Sequence, residues 1–252
     1  MFTVGNLIIG SLAALIVGLS KTALPGAGLV ATPIIAVIVT GRAIPGTTLP
    51  ILLAADVFAV TWYSRHTRWD LLRPMILSVA VGFAAGATFF AVVGSATRPI
   101  EIVIGISILL MAAIQTWRMI RRQQPATPTQ SAAAIYGSTG GFTTFVANAA
   151  GPILNTYLVR IGLGKDELVG TSAWFYFTVN VAKVPVYLAL GQWSTGGRFF
   201  TPTSLAFDAA LLPAVLVGVY GGRAMLHKLP DKAFLVGVLV LSAAGAVKLL
   251  LP

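Results

Sequence analysis

Pro45-Gly46-Thr47-Thr48 is followed, eight residues past Thr48, by Asp56, and the same pattern returns 124 residues later. There it reads Val169-Gly170-Thr171-Ser172, with Asn180 in the place of Asp56. Each copy follows an apolar stretch that Gly and Pro interrupt, namely Lys21-Thr22-Ala23-Leu24-Pro25-Gly26-Ala27-Gly28 in the first half and Asn148-Ala149-Ala150-Gly151-Pro152 in the second. Paired interruptions at matching places in two apolar halves indicate an internally repeated membrane protein.

The composition excludes a water-soluble globule. Only 10% of the residues are charged and 57% are hydrophobic, with a mean hydropathy of +0.89, whereas soluble domains carry about a quarter charged residues. Residues 71–94 and 231–250 reach the roughly 20 apolar residues that cross a bilayer. Because these runs are long and lack the alternation of barrel strands, we predict an all-α polytopic membrane protein with one helical domain.

Ten apolar segments can be drawn along the chain. The second and seventh span only 15 and 13 residues, so we expect broken half-helices near the midplane. We predict a first transmembrane repeat at 1–120, a polar cytoplasmic linker at 121–130 and a second repeat at 131–252, with an insertion at 192–203. The segments are 3–19, 26–40, 47–63, 71–94, 98–118, 131–147, 151–163, 168–190, 205–227 and 231–250.

The distribution of basic residues predicts the orientation. With the N-terminus outside, Arg42, Arg98, Arg198 and Lys248 fall outside. The cytoplasmic set is much larger: Arg65, Arg68, Arg73, Arg118, Arg121, Arg122, Arg160, Lys165, Arg223, Lys228 and Lys232. This bias places both termini on the periplasmic side. Each half then crosses an odd number of times, so the second is inverted. Inverted repeats with broken helices are typical of alternating-access secondary transporters.

Several other classes of protein do not fit. The net charge of +10 is scattered between apolar runs, so we expect no nucleic-acid partner. The chain has no cysteine, and His66 and His227 lack acidic or cysteine ligands at metal spacing, so we expect no metal site and no cofactor. Nucleotide-binding and nucleophile motifs are absent from the sequence, so we predict a gradient-driven protein that is not an enzyme.

The first break supplies candidate anion ligands. Lys21 precedes Gly26 and Gly28, where a half-helix start would present free backbone N–H groups to a negative charge. The alternative for Lys21 is a lysine that snorkels from a helix end to the membrane surface. Thr47 follows Gly46 at the next helix start and is either an ordinary N-cap or a hydroxyl donor to an oxyanion.

The second break supplies a matching set of candidate ligands. Asn148 precedes Gly151 and Pro152, and Pro suits the first turn of the following half-helix. Asn148 is expected either to cap that half-helix or to donate its amide to a ligand. Small residues here allow close approach of the backbone.

Asp56 and Asn180 form the repeat-related pair within segments three and eight. A carboxylate about nine residues into a span is costly and indicates function, so we predict that Asp56 couples transport to protons. The alternative is a structural hydrogen bond to Thr47, Thr48 or a neighbouring helix.

Lys183 and Tyr187 extend the face of Asn180. Lys183 comes three residues later and Tyr187 one turn further. We expect Lys183 to bind an anion or to pair with Asp56, against the alternative of snorkelling, and we include Asn180 and Tyr187 in the substrate site. Gly82 with Gly86, and Gly218 with Gly222, predict close helix packing.

These residues resemble the TauE/SafE family of sulfite and organosulfonate exporters over about residues 5–250. The resemblance rests on Gly18-Leu19-Ser20-Lys21, Gly46-Thr47 with Leu49-Pro50 and Asp56, Tyr63 through Arg65-His66 to Trp69, and Gly170-Thr171-Ser172 through Phe177, Asn180, Lys183-Val184-Pro185 and Tyr187. It implies a bacterial inner-membrane transporter of small sulfur-containing oxyanions driven by the proton gradient. The family's first break is usually a longer glycine run, which Thr22-Ala23-Leu24-Pro25-Gly26-Ala27-Gly28 replaces here.

The sequence therefore predicts a secondary carrier that exports a small sulfur-containing anion. Its expected partners are that anion and the lipid bilayer, and a homo-oligomer is left open. Two alternatives remain at this point: a proton- or cation-coupled carrier of another metabolite in which Asp56 binds the ion, and an accessory membrane subunit that transports nothing.

Overall fold

The protein is built from α-helices, as seen in a computed structural model that describes residues 1–23, 27–121, 127–225 and 231–251, with the side chains of 231–235 excepted. Helix makes up 85% of the structure, and no strand occurs among the described residues. The α-helices are α1 Val4–Thr22, α2 Ala31–Ile35, α3 Ala43–Tyr63, α4 Trp69–Val93, α5 Thr97–Ile120, α6 Gln130–Ala147, α7 Gly151–Arg160, α8 Lys165–Trp193, α9 Pro202–Met225 and α10 Asp231–Leu250, with 3-10 turns at Ala27–Val30 and Ser64–His66.

Within the described residues, six helices are long and apolar enough to span a membrane. This confirms the prediction of a polytopic all-α membrane protein. The six spans are Val4–Thr22, Ala43–His66, Trp69–Val93, Thr97–Ile120, Lys165–Trp193 and Pro202–Met225. Residues 122–126 of the expected linker, together with His227 and Lys228, lie outside the described residues.

The second and seventh segments are short, as predicted. Helix α7 has ten residues, a length of about 15 Å at 1.5 Å per residue, half of what a bilayer core requires. Helix α2 ends at Ile35, earlier than the expected boundary at residue 40. The β-branched run at 37–40, which disfavours helix, accounts for the early end.

The most extensive helix contacts join the first half of the chain to the second. Helix α1 lies against α9, and α4 lies against α6, while α3 contacts α8 and α5 contacts α10. Under the proposed repeat, α1 corresponds to α6 and α4 to α9, so the first two contacts are equivalents of one another. The contacts therefore have the pairing expected of two related halves.

Glycine lets the backbones approach at both of these contacts. A Cβ added to Gly218 would lie 2.2 Å from the Leu15 carbonyl oxygen, and one added to Gly82 would lie 2.2 Å from the Ser138 carbonyl oxygen. Cβ atoms at Gly86 and Gly222 would meet Phe145 and Thr22 side chains at 2.6 and 2.2 Å. The predicted glycine packing is confirmed.

The loops gather at two opposite ends of the bundle. At one end, Arg42 donates to the Ser194 hydroxyl and the Phe90 carbonyl, and Arg98 donates to the carbonyls of Leu249 and Leu251 at the end of α10. At the other end, the backbone N–H of Arg68 donates to Thr171 over 3.0 Å. Arg42 and Arg98, two of the basic residues expected outside, thus lie at the same end.

The insertion at 192–203 closes that first end. Its Phe199 is 1% exposed, stacks on Tyr187 with ring centroids 4.2 Å apart and meets Phe90 edge-on at 4.9 Å. A Cβ on Gly46 would lie 2.0 Å from the Phe199 carbonyl oxygen, so the insertion rests directly on the start of α3.

Replacing Gly18 by Ala should destabilise the protein, because the new Cβ would lie 2.4 Å from the backbone oxygen of Val215. Overpacking of this kind costs about 1–3 kcal/mol, which we expect to lower the Tm in detergent by about 5 °C. Gly5→Ala in the same helix is the matched control, since nothing lies within 4 Å of its Cβ position. Equal Tm values for the two variants would contradict the close packing of α1 on α9.

Candidate functional site

A buried ion pair stands at the centre of the bundle. Helix α1 carries Lys21 in its last turn, and α3 carries Asp56 two-thirds of the way along its length. The Lys21 Nζ lies 2.7 Å from Asp56 Oδ1, and the two side chains are 7% and 0% exposed. Lys21 therefore does not snorkel to the membrane surface.

Asn180 completes the environment of the carboxylate. Its amide Nδ2 on α8 donates to Asp56 Oδ2 over 2.6 Å. The two residues that occupy corresponding places in the repeat are thus joined by a direct hydrogen bond. With one oxygen facing an ammonium group and the other accepting from an amide, a carboxylate can remain buried without an uncompensated charge.

Lys183 binds a different set of oxygens. Its Nζ donates to the Thr144 carbonyl oxygen at 3.1 Å, to the Thr144 hydroxyl at 3.3 Å and to Asn148 Oδ1. Three acceptors match the three N–H donors of an ammonium group. The alternative that Lys183 pairs with Asp56 is wrong, because Lys21 holds that position and Lys183, on the next turn after Asn180, turns toward α6.

Asn148 links the second break to the first half. It ends α6 in the left-handed conformation at φ 53°, and its backbone N–H bonds to the Thr144 carbonyl. Its amide Nδ2 donates to the Pro45 carbonyl over 3.2 Å. The expectation that Asn148 caps α7 is wrong, because Ala150 is the N-cap residue of α7 and Asn148 instead terminates α6. Pro152 does lie in the first turn of α7.

A small cavity of about 30 Å³ borders the ion pair. Cavity space of this size is enough for a water molecule, which needs at least about 10–15 Å³. Its walls come from the ends of α1 and α6, the start of α7, and the facing sides of α3 and α8. The lining residues are Ser20, Lys21, Gly28, Leu29, Leu52, Thr144, Asn148, Gly151, Ser172, Ala173, Tyr176 and Asn180.

The structure brings five of the predicted substrate residues together on this cavity. They are Lys21, Gly28, Asn148, Gly151 and Asn180. Lys183 does not line the cavity. It is completely buried and donates a hydrogen bond to the side chain of Asn148, which does line it. Gly26 lies outside the described residues.

Thr47 and Tyr187 lie away from the cavity. Thr47 is fully buried, and its hydroxyl has no partner among the described residues. Tyr187 donates its hydroxyl to the Phe145 carbonyl and packs on Phe199 of the insertion. It lies seven residues beyond Asn180, about 10 Å further along the axis of α8, which carries it past the cavity.

Sequence reasoning did not include Tyr176 in the site. The residue lines the cavity, and its ring lies 3.9 Å from the Lys21 Nζ in a cation–π contact. The spacing of Ser172, Tyr176 and Asn180 was a usable signal, because residues four apart lie on one face of a helix. Tyr176 stands within the aromatic run Trp174-Phe175-Tyr176-Phe177, a pattern that also fits a lipid-facing surface.

Asp208 is a second buried carboxyl group among the described residues. The structure puts it in the second turn of α9, 3% exposed, and neither carboxyl oxygen has a hydrogen-bond partner among the described residues. It is separate from the cavity, whose lining does not include it.

No cluster of three or more His, Cys, Asp or Glu that could hold a metal occurs in the described parts of the chain. The polar groups at the cavity are amino groups, amides and hydroxyls, which suit a small ligand with oxygen acceptors.

The fold and the site together define a multi-pass helical membrane protein with charged residues enclosed between its spans. The chain matches the family described as sulfite exporter TauE/SafE over residues 10–249 and belongs to it. The resemblance seen in the sequence is thereby confirmed. Neither the comparison with curated proteins nor that with solved structures found a match.

The ion pair predicts a non-additive pattern of stability. Lys21→Met alone leaves a buried carboxylate unpaired and should cost about 3–5 kcal/mol, and Asp56→Leu alone should be similarly harmful. The double variant removes both charges, so its Tm in detergent should lie above that of either single variant. A double variant that shows the sum of the two losses would contradict a stabilising contact between these side chains.

Proposed function

We propose that this protein is a secondary transporter that exports a small sulfur-containing oxyanion, such as sulfite or an organosulfonate. Membership of the sulfite exporter family supports the substrate class. The observation that carries the proposal is the position of Lys21, whose ammonium group is buried within the bundle and borders a cavity. An amino group at this place offers a charge-assisted hydrogen bond to an oxyanion.

The charges around the cavity favour an anion over a cation. Lys21 and Lys183 supply two positive charges, and Asp56 supplies one negative charge, so the site carries a net charge of one positive unit with all three ionised. A single anion would neutralise it. The rival hypothesis, in which Asp56 binds a cation, is weakened because both oxygens of Asp56 already face Lys21 and Asn180.

The start of α7 adds to this preference. Gly151 is the first residue of α7 and lines the cavity. Free N–H groups and the positive end of the helix dipole at such a start attract anions. Lys21 and the start of α7 therefore both give the cavity a positive electrostatic potential.

We propose alternating access between two inverted halves, 1–120 and 131–252, in the bacterial inner membrane with both termini periplasmic. The crossed contacts of α1 with α9 and of α4 with α6 support two related halves. Arg42 and Arg98 lie together at one end of the bundle. Because cytoplasmic loops carry the excess of basic residues, and the larger predicted set of basic residues belongs to the other end, this supports a periplasmic position for the end with Arg42 and Arg98.

Asp56 is the proposed proton-coupling residue. It is completely buried, and the charged or titratable groups around it are Lys21, Lys183 and Tyr176. Gain of a proton by Asp56 would remove the negative partner of Lys21 and leave the ammonium group free to hold the anion. Proton movement and anion binding would then be linked through one amino group.

Loss of the Lys21 charge should weaken anion binding. We compare wild type with the doubly neutral Lys21→Gln/Asp56→Asn, which leaves no unpaired charge, by sulfite- and sulfoacetate-induced thermal shifts and by flux in proteoliposomes. Affinity should fall at least about tenfold, the usual effect of a lost charged hydrogen bond. Lys248→Gln, on an exposed residue, is the control and should bind as wild type. Wild-type affinity in a folded double variant would refute the anion site.

Asp56→Asn should make transport insensitive to an imposed pH gradient, since the amide cannot exchange a proton. The measurement is sulfite flux into proteoliposomes at several internal and external pH values. Asp208→Asn is the informative comparison, because Asp208 is the other deeply buried carboxyl in the described spans. If Asp208→Asn abolishes the pH response and Asp56→Asn keeps it, the coupling role of Asp56 is wrong.

A further inference from the structure

Two residues that line the cavity carry hydroxyl groups with no partner among the described residues. These groups are the Ser172 Oγ and the Tyr176 hydroxyl, and both atoms are shielded from solvent. Ser172 is 2% exposed, and both residues line the cavity beside Lys21. The two side chains lie one turn apart on α8, about 6 Å along its axis.

An unpaired hydroxyl in such a place needs an explanation. Buried polar groups are nearly always hydrogen-bonded, and leaving one unpaired is unfavourable. Other buried hydroxyls near this site find backbone oxygens: Ser20 donates to Val17 over 2.8 Å, and Thr32 donates to Ala147 over 2.7 Å. Among the described residues, the hydroxyls of Thr47 and Ser242 also lack a partner, but only Ser172 and Tyr176 line the cavity, where a ligand could supply the acceptor.

We propose that Ser172 and Tyr176 are substrate-binding residues that donate hydrogen bonds to the oxygens of a sulfite or sulfonate group and distinguish it from a carboxylate. This inference rests on the proposed function and specifies how the same cavity selects its ligand. The third donor is Lys21, whose ammonium group has three N–H bonds and uses only part of them on Asp56.

The arrangement of the acceptor oxygens gives the reason for selectivity. Sulfite and sulfonate groups carry three oxygens on one sulfur atom, and a carboxylate carries two on one carbon. Lys21, Ser172 and Tyr176 can each find a separate oxygen on the sulfur group. A carboxylate has enough lone pairs for three hydrogen bonds, but its two oxygens lie in one plane with the carbon atom, so three donors arranged around a pyramidal SO3 group would meet it with poorer geometry. Sites built around the hydrogen bonds of one ligand discriminate against ligands that cannot reproduce them.

Tyr176 is well placed for this role because its orientation is fixed. Its ring lies 3.9 Å from the Lys21 Nζ and packs next to Phe175, with ring centroids 5.7 Å apart. A ligand held by Lys21 would therefore lie beside a ring that is already ordered, so little additional side-chain freedom is lost on binding.

The test uses Ser172→Ala and Tyr176→Phe, which remove only the hydroxyl groups, in the full-length protein. Affinity is measured by thermal shift and by inhibition of sulfite flux, with sulfoacetate and malonate as a pair that differs by one sulfonate in place of one carboxylate. Each variant should lose about five- to tenfold in affinity for sulfite and sulfoacetate and much less for malonate. Tyr136→Phe and Ser78→Ala, on α6 and α4, serve as controls and should keep wild-type values.

Stability of the empty protein separates binding from a structural role. Because the hydroxyls have no partner in the described structure, their removal should leave the ligand-free Tm unchanged or raise it. A lowered Tm, or unchanged affinity for sulfite and sulfoacetate in both variants, would overturn the assignment of these residues. If wild type itself binds and transports none of these anions, the proposed function fails and this assignment fails with it.

Discussion

The contact between Lys21 and Asp56 is the constraint on which the rest of the site depends. A charged group within the membrane must be compensated, since lipid offers it no partner. The pair does this across 2.7 Å with almost no exposure to solvent. It requires the last turn of α1 to lie level with Asp56, two-thirds of the way along α3.

In the second half, the buried lysine is compensated by neutral groups. Asn180 stands in the repeat where Asp56 stands in the first half, and the two side chains bond directly to each other. Lys183 has oxygens of Thr144 and Asn148 as partners instead of a carboxylate. This difference between the halves leaves one positive charge in excess, which a symmetric arrangement with two carboxylates would have cancelled.

The sequence predicted features that depend on local pattern, namely the ten helical segments, the two short ones and the glycine contacts. It could not predict contacts that depend on how helices align. The spacing predicted that Lys183 and Tyr187 share the face of Asn180. In the structure Lys183 supports the cavity by binding Asn148, whereas Tyr187, one turn further on, packs on Phe199 of the insertion. The insertion has no counterpart in the first half, so comparison of the repeats could not predict that Phe199 is buried against Tyr187.

The packing also limits how the proposed cycle of alternating access can proceed. The cavity measures only about 30 Å³, close to the volume of one water molecule in the liquid, so a sulfur oxyanion requires its walls to separate. The α1–α9 and α4–α6 pairs bring backbone against backbone at Gly218 and Gly82 and resist separation. Rigid-body movement of one pair relative to the other, about the α3–α8 contact where Asp56 meets Asn180, would open the cavity while each pair stays closely packed.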